Sequence, residues 1–136
     1  MRLPDVASHL WDLTQNAADA GADRITVSLH ITDAFIQLRL RDNGCGMTGR
    51  QRRDAMRRGY STKPHSLGMG LPLARENAER FALRSRKGRG TTVSARFARE
   101  TVPPGDLSGT LALFGRVYPS IHFCVRVWEE KTRKKR

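Results

Sequence analysis

A carboxylate stands where a strand should present an apolar side chain. Ile36, Leu38 and Leu40 alternate with Gln37, Arg39 and Arg41, the period-two pattern of a half-buried strand. The same parity puts Asp42 on the covered face. A charge there requires a partner. The strand runs out into Asp42-Asn43-Gly44-Cys45-Gly46-Met47, in which two glycines strip side chains from the main chain and let another group come close. The pattern points a carboxylate toward the covered face of a sheet, beside a glycine-rich loop. Ile25, Val27, Leu29 and Ile31 alternate in the same way, and a turn near Asp33 joins the two strands into a hairpin.

Helical periodicity flanks that hairpin. From Asp5 to Ala20, Val6, Leu10, Leu13, Ala17 and Ala20 recur at steps of four and three, and Gly21 supplies the stop. On the same segment Asp12, Asn16 and Asp19 form a second stripe. A solvated helix face and a functional face are both open readings of it. Thr48 can begin a short helix in the basic stretch that ends at Leu67. Ser66-Leu67-Gly68-Met69-Gly70-Leu71 then opens a helix whose apolar face is Leu71, Ala74, Ala78 and Phe81. Glycines before a helix leave its first N–H groups free for a phosphate. Residues 82–87 and 91–98 read as a second hairpin, turning at Lys87-Gly88-Arg89-Gly90, with Val93, Ala95 and Phe97 inward and Thr91 sharing their parity. After Val102-Pro103-Pro104-Gly105, Leu107, Leu111 and Phe114 mark a third helix and Ile121, Phe123, Val125 and Val127 a last strand.

This order predicts an α+β two-layer sandwich with helices on one face of a mixed β-sheet. With 136 residues and 38% hydrophobic content, one domain over residues 1–128 is expected. It would carry a lid at about 48–67, a helix–strand extension at about 103–128, and a basic tail at 129–136. No apolar run reaches membrane-spanning length and no secretory signal opens the chain, so a cytoplasmic protein is expected. Cys45 and Cys124 lack metal-ligand spacing and are expected as free thiols. The formal charge of +12 attracts polyanions without choosing among them. Gly44-Cys45-Gly46-Met47-Thr48-Gly49 satisfies G-x-G-x-x-G, but no acidic residue stands between Asp54 and Glu76 to hold a ribose, and no βαβ unit precedes it. A P-loop sequence is absent as well.

Taken together, Asp12 and Asn16 on a helix, Asp42-x-Gly-x-Gly after a strand, Gly68-x-Gly before a helix and Gly90-Thr91 entering a strand resemble the GHKL superfamily of ATP-binding domains. This is the Bergerat fold of histidine kinases, type II topoisomerases, heat-shock chaperone ATPases and mismatch-repair ATPases. The stretch from Trp11 to Ala22 is similar to the N box, and its Asn16-Ala17-Ala18-Asp19-Ala20-Gly21-Ala22 ending is especially close to mismatch-repair ATPases. Asp42 to Met47 resembles the G1 box. Tyr60-Ser61-Thr62-Lys63-Pro64 with Leu67-Gly68-Met69-Gly70-Leu71 resembles the lid end and G2 box of histidine kinases. The likeness runs over roughly residues 8–98. From Pro103 to Phe123 the chain is further similar to small stand-alone ATP-binding proteins of anaerobic Firmicutes-type bacteria.

The resemblance implies ATP and Mg²⁺ as cofactors. It implies that Asp42 accepts a hydrogen bond from the adenine amino group, that Asn16 joins the triphosphate oxygens around Mg²⁺, and that Gly44, Gly46 and Met47 border the purine and sugar. Gly68, Met69, Gly70 and Leu71 border the phosphates, and Thr91 supports Asp42 through its hydroxyl. Thr62, Lys63 and the lid arginines face the phosphates or, on the other reading, solvent. Asp12 takes the place of the family's catalytic Glu, one methylene shorter. No His-Glu or His-Asp phosphoacceptor helix is present, so a complete sensor kinase is excluded. Phosphoryl transfer to a separate, unidentified protein is the leading function, as in stand-alone serine kinases of the superfamily. The alternative is an ATP-dependent switch, with a homodimer as a further possible partner. A nucleic-acid binder ranks last, because 7% aromatic content, mostly at apolar-face positions, supplies no stacking platform.

Overall fold

The computed structural model describes residues 4–57 and 70–131. The elements run α1 (Val6–Asp19), β1 (Arg24–Ile31), β2 (Phe35–Asp42), α2 (Gly49–Ala55), α3 (Gly70–Asn77), β3 (Arg80–Arg86), β4 (Gly90–Ala98), α4 (Leu107–Val117) and β5 (His122–Glu129). The strands form one five-stranded sheet in the order β3-β4-β2-β1-β5, antiparallel except where β5 joins β1 in parallel. Its inward face carries Ile25, Val27 and Leu29, Ile36, Leu38 and Leu40, and Val93, Ala95 and Phe97, all buried. The opposite face carries Arg39, Arg41, Arg80 and Arg84, all exposed. The sandwich is therefore α+β with its helices on one side. No helix of the described residues is long and apolar enough to cross a membrane.

Local chemistry sets the helix ends. The Asp5 carboxylate accepts the Ser8 N–H at 2.7 Å. The next free donors, the N–H groups of Val6 and Ala7, go to the carbonyls of Pro103 and Pro104 at 2.9 and 3.0 Å. The proline pair thus does more than break a strand: its carbonyls close the start of α1 and hand the chain on to α4. Thr48 and Gln51 make a reciprocal capping box at α2.

One expectation needs correction. Phe81 does not belong to the face of α3: that helix ends at Asn77, and Phe81 lies in β3, half-buried and paired with Ala95 of β4. Its spacing from Ala78 fits a helical and an extended continuation equally well, and the ladder to β4 decides between them. The lid expected at 48–67 and the tail expected at 129–136 fall in part outside the described residues.

Candidate functional site

Asp42 closes β2 with 7% of its surface exposed, opposite Ile25 on one side and Thr91 on the other. Burial pushes its carboxyl up from the ordinary range, while main-chain N–H groups of Gly44 and Thr91 donate to it and pull the other way. The Gly44 bond measures 2.8 Å. Among the described residues no ion pair is made to this buried carboxylate, and two amide dipoles hold it.

The loop after Asp42 is tied on every side. Cys45 N–H donates to the Ala20 carbonyl at 2.9 Å, at the end of α1, and Gly88 N–H donates to the Cys45 carbonyl at 2.6 Å from the β3–β4 turn. Asn43 Oδ1 accepts the N–H groups of Asp23 and Arg24, both at 3.0 Å, and so fixes the start of β1. Gly46 has φ +67°, and a β-carbon there would run into the Arg86 carbonyl. A β-carbon on Gly44 would stand 2.9 Å from the Ala20 carbonyl oxygen. Both glycines are therefore required first by the close approach of protein main chain.

Ser85 is a site residue that the linear pattern of the chain does not single out. Its Oγ accepts the Met47 N–H at 2.8 Å, donates to the Gly90 carbonyl at 3.1 Å and lies 2.8 Å from Thr91 Oγ1. A hydroxyl has one proton and two lone pairs. With the proton on the Gly90 carbonyl, the Thr91 hydroxyl donates to Ser85 and keeps its lone pairs for an acceptor role. Thr91 meets Asp42 through its main-chain N–H, and its hydroxyl lies 2.8 Å from Ser85 Oγ. The available signal is parity, since Ser85 shares the inward face with Phe81 and Leu83 as a polar residue among apolar ones.

At the other end of the site, α1 meets the start of α3. A β-carbon on Gly70 would lie 3.3 Å from the Asn16 amide nitrogen and 3.5 Å from Asp12 Cβ, so Asp12, Asn16 and Gly70 converge although they come from separate helices. Burial raises the Asp12 carboxyl above the ordinary range. The two helices are held further along by His9, which stacks on Phe97 with centroids 5.0 Å apart and whose Nε2 lies 3.0 Å from Asn77 Nδ2. Leu71 turns toward the core and packs against it. Thr62, Lys63, Gly68 and Met69 lie outside the described residues. Of the lid arginines, Arg52 and Arg53 line a cleft with Arg75, Phe81 and Leu83.

Residues 4–101 match the family model of the histidine kinase-, DNA gyrase B- and HSP90-like ATPases, and the chain belongs to that family. A comparison with the curated proteins finds no match. Among solved structures, the chain is similar to the ATPase domain of Aquifex aeolicus MutL complexed with ADP, with a TM-score of 0.70 and 16% identity. That match covers 93% of this chain and 61% of the other. It is also similar to the N-terminal domain of a DNA repair protein, with a TM-score of 0.61 and 16% identity over 96% of this chain and 50% of the other. The chain thus spans one half to three fifths of the length of these structures.

Proposed function

We propose that this protein binds Mg²⁺·ATP between Asp42 and the Asp12–Asn16–Gly70 junction and uses it as a conformational switch toward a protein partner. The carrying observation is Asp42, a buried carboxylate already given two main-chain donors. The adenine amino group would supply a further donor, whereas guanine would set a carbonyl oxygen against the carboxylate. Asn16 would offer its carboxamide oxygen, a hard ligand suited to Mg²⁺ beside phosphate oxygens. The residues present fit that ion: the bare α-carbon of Gly70 leaves no side chain between the start of α3 and the Asn16–Asp12 face. Bound Mg²⁺ would supply charge neutralisation for the triphosphate.

Asp12 would act as general base, taking a proton from water as its oxygen attacks the γ-phosphorus and ADP departs with the bridging oxygen. Its raised basicity suits the role, and its short side chain limits the rate. The likeness to an ADP-bound MutL ATPase domain favours the switch over phosphoryl transfer to a separate protein. Transfer remains the second reading, because the ATPase family matched here includes histidine kinase-like members. Intact-mass analysis of candidate acceptors after incubation with Mg²⁺ and ATP separates the two. A homodimer is a further proposal, read out by sedimentation with and without nucleotide.

Asp42→Asn tests the pocket. It exchanges an acceptor oxygen for a donor and removes the charge, at a cost of about 1.5–3 kcal/mol, or roughly 10- to 150-fold in ATP affinity. Titration of wild type and variant with ATP, ADP and GTP, with circular dichroism as the fold control, decides it. A wild type that prefers GTP, or a folded variant that binds ATP normally, overturns the assignment. Asp12→Asn should lower ATP turnover and leave affinity within about twofold, because a general base acts on the chemical step. Unchanged turnover removes Asp12 from the chemistry.

A further inference from the structure

Among the described residues β3 ends the sheet, with β4 on one side and no strand on the other. An edge strand leaves alternate N–H and C=O groups without a ladder partner. On its outer face β3 carries Arg80, Arg84 and Arg86, all exposed. On its inner face Phe81 and Leu83 floor an open cleft whose walls are Arg52, Arg53 and Met56 from the α2 segment and Arg75 from α3. Ion pairs among the described residues join Arg57 to Asp54 and His30 to Glu130, and none involves the arginines around β3. Arg96 on the neighbouring strand is different: it donates to Gln37 Oε1 at 2.9 Å and covers the Phe35 ring. Among the described residues, guanidinium groups on both faces of β3 therefore make no ion pair, and an apolar floor lies between them on one face.

We propose that the β3 edge is a docking site for an extended acidic segment of a partner protein, which adds as a sixth strand. Its main chain would pair with the open edge. Carboxylates on alternate residues would meet Arg80 and Arg84, and the intervening apolar side chains would enter the cleft over Phe81 and Leu83 between Arg75 and Arg52. The charges select this occupant. A second copy of the chain would set arginine against arginine, so the same residues that block self-pairing admit a strand of opposite sign. A nucleic acid would satisfy the arginines but offers no main-chain partner to the edge, and the cleft floor is aliphatic and half-buried aromatic surface with no exposed ring for stacking. β3 also carries Ser85, which contacts Met47 and Thr91 at the Asp42 pocket, so the strand that would take the added segment also borders the nucleotide site proposed above. The docking surface itself stands on the edge, the cleft and the charges, and does not need that site to bind ATP.

The test uses the full chain and a short fluorescein-labelled peptide in which Glu alternates with Val and Phe, read by fluorescence anisotropy. The expected result is saturable binding, with protection of the amides of residues 80–86 from hydrogen exchange. Replacing Arg80 and Arg84 by Ser should weaken it roughly 2- to 30-fold through two cross-strand charge pairs, and Arg75→Ser should weaken it on the other face. Circular dichroism verifies the fold of these variants, whose altered side chains are exposed. Methylation of alternate peptide nitrogens should abolish binding, because it removes the ladder donors and leaves the charges. Binding that survives methylation, an oligoglutamate or an oligothymidylate that binds as tightly, or no binding at all would each overturn the proposal.

Discussion

The two ends of the candidate site are built differently. At the Asp42 end, the carboxylate, the glycine loop and the β3–β4 turn are locked to one another by main-chain bonds of 2.6–2.9 Å and by the Ser85 hydroxyl. At the Asn16 end, position depends on how two helices meet, with Gly70 against Asn16 and His9 against Asn77. An array of backbone bonds has little freedom to relax, so a change that displaces its main chain appears as lost stability, whereas a side-chain change that leaves the main chain in place is read in affinity. A helix–helix junction can shift by small amounts, so a change there appears in ligand affinity and in pH response.

Paired glycine substitutions probe this contrast most strongly. Gly90 has φ +90°, and a β-carbon would collide with the Asp42 carbonyl. Gly90→Ala should cost about 2–5 kcal/mol from combined strain and overpacking. Gly70 is helical, so Gly70→Ala should keep stability within about 1 kcal/mol of wild type while crowding Asn16 and weakening ATP binding. Urea unfolding and nucleotide titration of both variants supply the measurement. The comparison breaks if Gly70→Ala is the more destabilised of the two.

A smaller effect is expected at Ser85. Ser85→Ala strands the Met47 N–H and frees the Thr91 hydroxyl to rotate, at about 0.5–1.5 kcal/mol, or roughly 2- to 13-fold in ATP affinity if the loss is realised on binding. Isothermal titration of ATP against wild type and variant measures it. An unchanged affinity would mean that the main-chain bonds alone hold the loop.

The smallest effect is the pH response of the helix junction. Burial lowers the His9 imidazole, partly offset by Asp5 nearby, so folded His9 stays neutral where an unfolded chain would begin to protonate. Below the ordinary value of about 6.5 the unfolded state binds more protons. Stability should therefore fall with acidification, by at most about 1.4 kcal/mol per pH unit, down to the lowered folded value. Protonated Nε2 also cannot accept from Asn77. His9→Gln should flatten the pH dependence of thermal unfolding just below the ordinary histidine value of about 6.5. Asp12 and Asp42 work in the opposite sense: their raised values favour the folded state as pH falls toward the ordinary carboxylate range. A slope that persists in His9→Gln would assign the response elsewhere.

Much of this is legible along the chain because alternation and helical spacing are local. The parity of Ile36, Leu38 and Leu40 is enough to turn Asp42 inward, and the four-residue step from Asp12 to Asn16 is enough to put both on one face of α1. Thr48 as the start of a short helix follows from its side chain alone. Contacts between distant segments are not legible. Nothing in the spacing of Pro103 and Pro104 says that their carbonyls cap α1, and nothing near Ser85 says that it accepts from Met47. Phe81 reads as helical for the same reason, since the residues that make it a strand residue lie across the turn in β4. Local periodicity determined the elements, their faces and the inward carboxylate, because it reflects only which side of each segment avoids water. Tertiary packing alone decided that the Thr91 N–H joins the neighbouring Gly44 N–H on that carboxylate, that Ser85 accepts from Met47, and that Asp12, Asn16 and Gly70 come together, because those depend on hydrogen bonds and close approaches between segments far apart in the chain.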